Sequence, residues 1–439
     1  MKLSNSWVNG KHFMRQRIGE NKAWRWLAAS CSPYARAIEI GIAASIIVIF
    51  QLVIIDFITP GILVPSAFSQ INALPLAFKN LDFLPYYTTS QLIADGQIAH
   101  IYERAPQLQL QSIIHGKQLT DYMVFLYPPS TLLFFLPFSH CSFMQGLMLW
   151  QLGIAVTSLI LVLLLCRYIF PPKTGHIVCA SFALVYFEPW IITILMGQIT
   201  IVLAIALLLC FRLLQERWVI SATLLFLLTA FKPTLLIAPA IFFLCMVKKS
   251  DLWRVVIAAA FVLLSIHILM GSEIWLSYLK LLVHMSSQTD LLGTDIDSMP
   301  TLRTALVKLL GKGAIATVNW LSIIIWGAAL LYATRLSWQV RAASARDREL
   351  AFSIILCIST LFSPWTHVHS LMLLVIPILY YYKYGNRTAL YIVILFNCIL
   401  WVGSFMLRDS LSVTAGQIIL LGGLVHCFYR PAASTVVKP

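Results

Sequence analysis

Read for hydropathy alone, the chain is a succession of apolar runs broken by short polar stops. The runs cover roughly 38–58, 143–168, 176–196, 198–214, 218–231, 233–247, 253–271, 314–334, 349–364, 368–383, 388–406 and 412–428, each bounded by charge, Pro or Gly. Stretches of this kind predict membrane helices, because in hydrocarbon a helix satisfies its own backbone, although several are shorter than the ~20 residues that cross a bilayer. A further short run, Leu126 to Phe138, carries Pro128, Pro129 and Pro137. Proline removes helix hydrogen bonds, so this run predicts a re-entrant or half-depth segment held against protein. The expected fold is therefore all-α: a polytopic transmembrane protein of about 12 spanning helices plus a re-entrant segment.

Charge orients that arrangement. With 126–138 counted as re-entrant, the basic segment 1–37, the 169–175, 215–217, 248–252, 335–348 and 383–387 connections and the tail 430–439 share one side. That side holds most of the Lys and Arg, whereas counting 126–138 as a crossing splits the basic residues against the positive-inside rule. Both termini are expected in the cytoplasm, with one transmembrane domain over 38–429 between them. The first apolar run begins too far downstream for a cleaved signal peptide and reads as an uncleaved span. Long extracytoplasmic connections follow at about 59–125 and 272–313. The first predicts helices around Tyr86–Ala94 and Pro106–His115, punctuated by Gly96 and Gly116 and lying along the membrane surface.

Composition agrees and narrows the function. Sixty per cent of the 439 residues are hydrophobic and 11% are charged, so the membrane part is the protein itself. A net charge of +14 is spread in small groups between apolar runs, unlike a nucleic-acid patch. The nine cysteines are scattered with no C-x-x-C pair and read as small core residues. There is no Walker-type phosphate loop to support ATP-driven transport.

The same orientation carries the unusual polar residues to one face: Asp82, Tyr127-Pro128-Pro129, Gly197-Gln198, Lys232-Pro233, Arg303 and the run from Ser363 to His369. Asp82 precedes a helix start at Pro85, where a carboxylate caps the helix or accepts a proton. Lys232, between two apolar runs, either snorkels to the interface or meets an anion such as phosphate. His367 and His369 flank Val368 and suit hydrogen bonding, phosphate contact, proton transfer or, least of all, a metal. Glu188 lies deep in an apolar run, as a functional acid or as a hydrogen-bond link between helices.

In order and spacing these residues resemble the polytopic GT-C glycosyltransferases of family 87, which include polyprenyl-phosphate-mannose-dependent mannosyltransferases. The resemblance rests on Asp82-Phe83 followed by Tyr86-Tyr87, Gly96 and Tyr102, on Tyr127-Pro128-Pro129, Gly197-Gln198 and Lys232-Pro233, and on Ser363-Pro364 with His367. It departs at Ser298-Met299-Pro300-Thr301, where an Asn-Gln-Ser type of segment is expected, and where Val368 splits the paired histidines. The resemblance implies a bacterial inner-membrane enzyme with an extracytoplasmic site. Asp82 would be the catalytic carboxylate and general base; Lys232, Arg303, His367 and His369, one histidine protonated, would hold the donor phosphate. Tyr86, Tyr87, Tyr127 and Gln198 would contact substrate. The implied partners are a polyprenyl-phosphate sugar, a glycolipid or glycan acceptor and membrane lipid, with no metal or other cofactor and no nucleic acid. A multi-span transporter or lipid flippase remains the alternative, against which stand the absence of an internal repeat and the gathering of polar residues at one face.

Overall fold

The computed structural model describes residues 36–53, 82–169, 176–287, 299–385, 387–406 and 410–430. Most of segment 1–37, residues 54–81 of the first connection, Ser298 and the tail beyond Arg430 lie outside the described residues. Among the described residues the chain is helical and contains no strand.

The elements follow the hydropathy pattern closely. Helix α1 is Arg36–Val53. The first connection contains α2 (Phe83–Ala94) and α3 (Arg104–His115), ending near Gly96 and Gly116, both at positive φ. The proline-rich run is broken, as expected, into single turns: Pro129–Thr131, Leu132–Phe135 and Leu136–His140. Helix α4 (Phe143–Tyr168) starts at a capping box, in which the Ser142 hydroxyl accepts from Gln145 N and the Gln145 side chain accepts from Ser142 N. There follow α5 (His176–Val185), α6 (Glu188–Met196), α7 (Thr200–Gln215), α8 (Val219–Leu228), α9 (Pro233–Met246), α10 (Leu252–Met270) and α11 (Glu273–Ser287). Then come α12 (Leu302–Leu310), α13 (Ile315–Gln339), α14 (Ala345–Phe362), a 3₁₀ segment Val368–Leu374, α15 (Val375–Tyr384), α16 (Arg387–Ile399) and α17 (Ser410–Tyr429).

Five helices among the described residues are long and apolar enough to cross a membrane, or six if α5 and α6, bent by 65°, form one broken span. The shorter runs explain the difference from twelve. At 1.5 Å per residue even a 16-residue helix such as α7 extends only ~24 Å, short of a ~30 Å hydrocarbon core.

Helix α14 is the buried centre. From Glu349 to Leu361 every residue is enclosed, although its first turn holds four charged residues in succession. It packs on α9, α13, α15 and α17. Phe352 stacks on Phe211 of α7 at 4.5 Å and lies 5.6 Å from Phe242 of α9, and each such buried side chain stabilises the bundle by ~1.5–3 kcal/mol. By contrast α10 and α13 direct Phe261, Ile268, Trp320 and Leu331 outward, each more than 60% exposed. Large apolar side chains exposed in rows suit contact with lipid. For the site, the important feature is the 3₁₀ segment 368–374, which lies against α6, α7 and α14. It brings the end of the Ser363–His369 run beside the start of α7.

Candidate active site

The aromatic start of α2 determines where Asp82 stands. Phe83 is fully buried among Phe138, Phe143 and Trp150, with ring centroids 5.3, 5.8 and 5.9 Å away. Asp82 N donates to Met196 O at 2.8 Å, tying the residue to the end of α6. There the chain turns at Gly197, φ +66°, and the α6 carbonyls are closed by Gly197 N on Ile194 O and Gln198 N on Thr193 O. Glycine suits the turn for its conformation, since a Cβ would meet only ordinary contact at 3.4 Å from Trp150 Nε1, which itself donates to Gly197 O at 2.8 Å. The turn places Gln198 so that its Nε2 donates to Asp82 Oδ2. Asp82 makes no side-chain capping bond, so the helix-cap alternative is set aside.

A line of hydroxyls lies behind Gln198. Its Oε1 accepts from the Tyr127 hydroxyl at 3.3 Å, and the Tyr127 and Tyr86 hydroxyls are 2.6 Å apart. Tyr102 donates to Tyr127 O at 2.8 Å, fixing the backbone of the proline-rich segment. Tyr86 is fully buried and stacks on Phe135 at 4.3 Å, so it has no free face for substrate. Tyr87 points its hydroxyl elsewhere, to Cys141 O at 2.9 Å.

Lys232, at the start of α9, donates to Ser370 Oγ at 3.1 Å and Thr200 Oγ1 at 3.4 Å. Asp82 and Lys232 sense each other's charge, with no direct ion pair between them among the described residues. Burial raises the Asp82 carboxyl above its ordinary range, opposed by the Gln198 bond and by Lys232. Burial also lowers the Lys232 ammonium, opposed by Asp82. His367 and His369 stack at 5.4 Å, and among the described residues no metal-holding group of three ligand side chains forms. Burial first and the Lys232 charge second hold His367 below the ordinary histidine range. That direction favours the neutral imidazole over the protonated histidine expected from sequence, because two cations in one desolvated site repel.

Arg303, on α12, stands at the other end of the Ser363–His369 run. Its Nε donates to Asn319 Oδ1 at 2.8 Å and its guanidinium lies 5.6 Å from the Trp365 ring centre. The buried Nη1 has no partner among the described residues, and the same holds for Ser363 Oγ and Thr366 Oγ1. The structure thus joins Asp82, Gln198, Tyr127 and Tyr86 by hydrogen bonds and places Lys232, His367 and His369 within electrostatic reach. It sets Arg303 to one side and Tyr87 apart.

Sequence reading missed Thr200 and Ser370, which orient Lys232, and Trp150, which holds the Gly197 turn. Thr200 and Ser370 follow singled-out motifs by two and one residues, and that adjacency is the signal available. Trp150 looks like any aromatic of an apolar helix until the fold is known.

The sequence model of glycosyltransferase family 87 matches residues 125–364, more than half of the chain. The chain belongs to glycosyltransferase family 87. No curated protein and no solved structure matches it. A family 87 chain is a membrane glycosyltransferase, so it takes a sugar donor and an acceptor, and the apolar helices are those of a membrane protein. The matched stretch contains Tyr127, Gln198, Lys232 and Arg303 but neither Asp82 nor His367. The fold nevertheless returns Asp82 to matched Gln198 and the histidines to matched Lys232.

Proposed function

We propose that the protein transfers a hexose, mannose in the first instance, from a polyprenyl-phosphate donor to a lipid-linked or envelope glycan acceptor on the extracytoplasmic side. The observation that carries this reading is a carboxylate held by a neutral amide beside a buried lysine, in a chain of family 87. Asp82 removes the proton from the acceptor hydroxyl as that oxygen forms a bond to the anomeric carbon. The bond from that carbon to the phosphate oxygen breaks, the polyprenyl phosphate leaves as an anion, and one displacement inverts the anomeric configuration. Lys232 supplies the positive charge beside the departing phosphate, with hydrogen bonds from His367 and His369 and further positive charge from Arg303. A bound phosphate restores the proton affinity that burial takes from Lys232.

A GT-C arrangement of twelve spans, counting the short helices, with both termini in the cytoplasm of a bacterial inner membrane, completes the proposal. The positive-inside distribution supports the orientation. The test is sugar transfer by the purified protein in lipid, offered a panel of polyprenyl-phosphate sugars with extracted envelope lipids as acceptors, beside Asp82→Asn. Transfer that disappears in the variant supports the assignment and names the donor. Normal turnover by folded Asp82→Asn overturns Asp82 as base, and labelled lipid crossing the bilayer without product favours a flippase.

A further inference from the structure

The hydrogen bonds behind Asp82 run in one direction. A tyrosine hydroxyl has one proton to give. Tyr127 gives its proton to Gln198 Oε1, so in the 2.6 Å contact between hydroxyls Tyr86 is the donor and Tyr127 the acceptor. Gln198, with Oε1 engaged, presents Nε2 to Asp82 Oδ2. Turning the amide over would set its oxygen against the carboxylate and leave the Tyr127 proton facing an N–H. Donor thus follows donor from Tyr86 through Tyr127 and Gln198 to Asp82, and hydrogen bonds aligned in this way strengthen one another.

We infer that Tyr127 and Tyr86 are positioning residues, and that their hydroxyls lock the Gln198 amide as a permanent donor to the charged form of Asp82. This rests on Asp82 acting as the base. Sequence reading placed both tyrosines against substrate; burial of the Tyr86 ring and engagement of both hydroxyls within the protein favour the inward role. The lock is one of few influences on this carboxylate. The titratable and charged groups that face it are Tyr86 from α2, Tyr127 from the proline-rich segment and Lys232 from the start of α9, with His367 and His369 beyond Lys232. A single ammonium and one neutral amide oppose the effect of burial.

The consequence is a pH effect with a definite sign. Activity needs the carboxylate, so it rises with pH through the Asp82 titration. Removing the Tyr127 hydroxyl frees the amide to rotate, weakens the bond to the charged form and moves the acid limb to higher pH, by about one unit. The test compares transfer rates across pH for wild type, Tyr127→Phe and Tyr86→Phe, both of which keep the ring in the aromatic cluster. Tyr127→Phe is expected to lose about tenfold in kcat below the limb and to recover at alkaline pH, with the donor KM unchanged. Tyr86→Phe, one bond further away, is expected to shift the limb in the same direction by less. A purely structural role predicts equal, pH-independent losses from the two variants, and that result overturns the inference, as does a limb that stays in place in folded Tyr127→Phe. If Tyr127→Phe does not fold, the limb of Tyr86→Phe decides alone, and an unmoved limb overturns the inference. Asp82→Asn separates the two levels: inactive Asp82→Asn with an unmoved Tyr127→Phe limb removes the lock but keeps the base, whereas active Asp82→Asn removes both.

Discussion

Helices α7 and α14 each join two buried polar clusters, and the clusters are built on opposite principles. At one end Thr200 and Ser370, beyond Phe362, hold Lys232, whose charge reaches Asp82. At the other, some 18–20 Å away along the helices, Glu349 of α14 receives Arg212 Nη2 and Lys383 Nζ at 2.9 Å each and the Tyr384 hydroxyl at 2.5 Å. Arg212 continues to the Tyr380 hydroxyl and to Tyr168 O. Both Glu349 oxygens are engaged by charged or hydroxyl donors, and its neighbours carry one positive charge in excess. This cluster braces α7, α14 and α15. Asp82 instead receives one neutral amide, on Oδ2, and Lys232 is held by two hydroxyls rather than by a carboxylate. A carboxylate and an ammonium kept close yet unpaired retain the capacity to bind and exchange protons, and buried groups of this kind occur at functional sites.

The contrast can be broken by substitution. Asp82→Asn preserves shape and removes the proposed base, so transfer should fall by about a hundredfold to ten-thousandfold while the folded fraction, read by thermal unfolding in lipid, is retained. Glu349→Gln should do the reverse. It leaves Arg212 and Lys383 without a counter-charge and should cost about 3–5 kcal/mol of stability, seen as a large drop in unfolding temperature, with turnover per folded molecule near normal. An unchanged unfolding temperature would mean that the brace is no brace. On the proposed mechanism Lys232→Gln removes one charge-assisted contact to the leaving phosphate, worth about 1.5–3 kcal/mol, and should lower kcat/KM by roughly ten- to a hundredfold with the loss concentrated in the donor terms. Arg303→Lys gives up the planar contact with Trp365, worth about 0.5–1 kcal/mol, so a change of a few-fold in rate is expected. A loss as large as that of Lys232→Gln would make Arg303 as direct a phosphate contact as Lys232.

Much of this was legible in the sequence. Twelve apolar runs match helices to within a few residues, because the forces that end a membrane helix are local: Ser142 capping α4, Gly197 ending α6, Pro233 opening α9. The break within 176–196 was not legible, since Glu188-Pro189 permits either a kink or a first turn, and the structure shows a 65° bend there. Asp82, Gln198 and Lys232 were identifiable as polar exceptions in apolar surroundings. Which of them touch was not identifiable, because contacts across 116 residues, as between Asp82 and Gln198, leave no trace in spacing. The Glu349 cluster was missed for a related reason: Arg212 and Lys383 look like ordinary helix-end charges until three helices bring them to one carboxylate.

The Asp82–Gln198–Tyr127 connection also bears on how the enzyme comes into being. Its members come from the first connection, the proline-rich segment and the turn after α6, so no helix inserted alone contains any part of the site that works. Pairings so distant along the chain close more slowly than local helices form. A chain caught partway through insertion therefore has apolar helices but not the joined Asp82, Gln198 and Tyr127, which only the completed fold brings together.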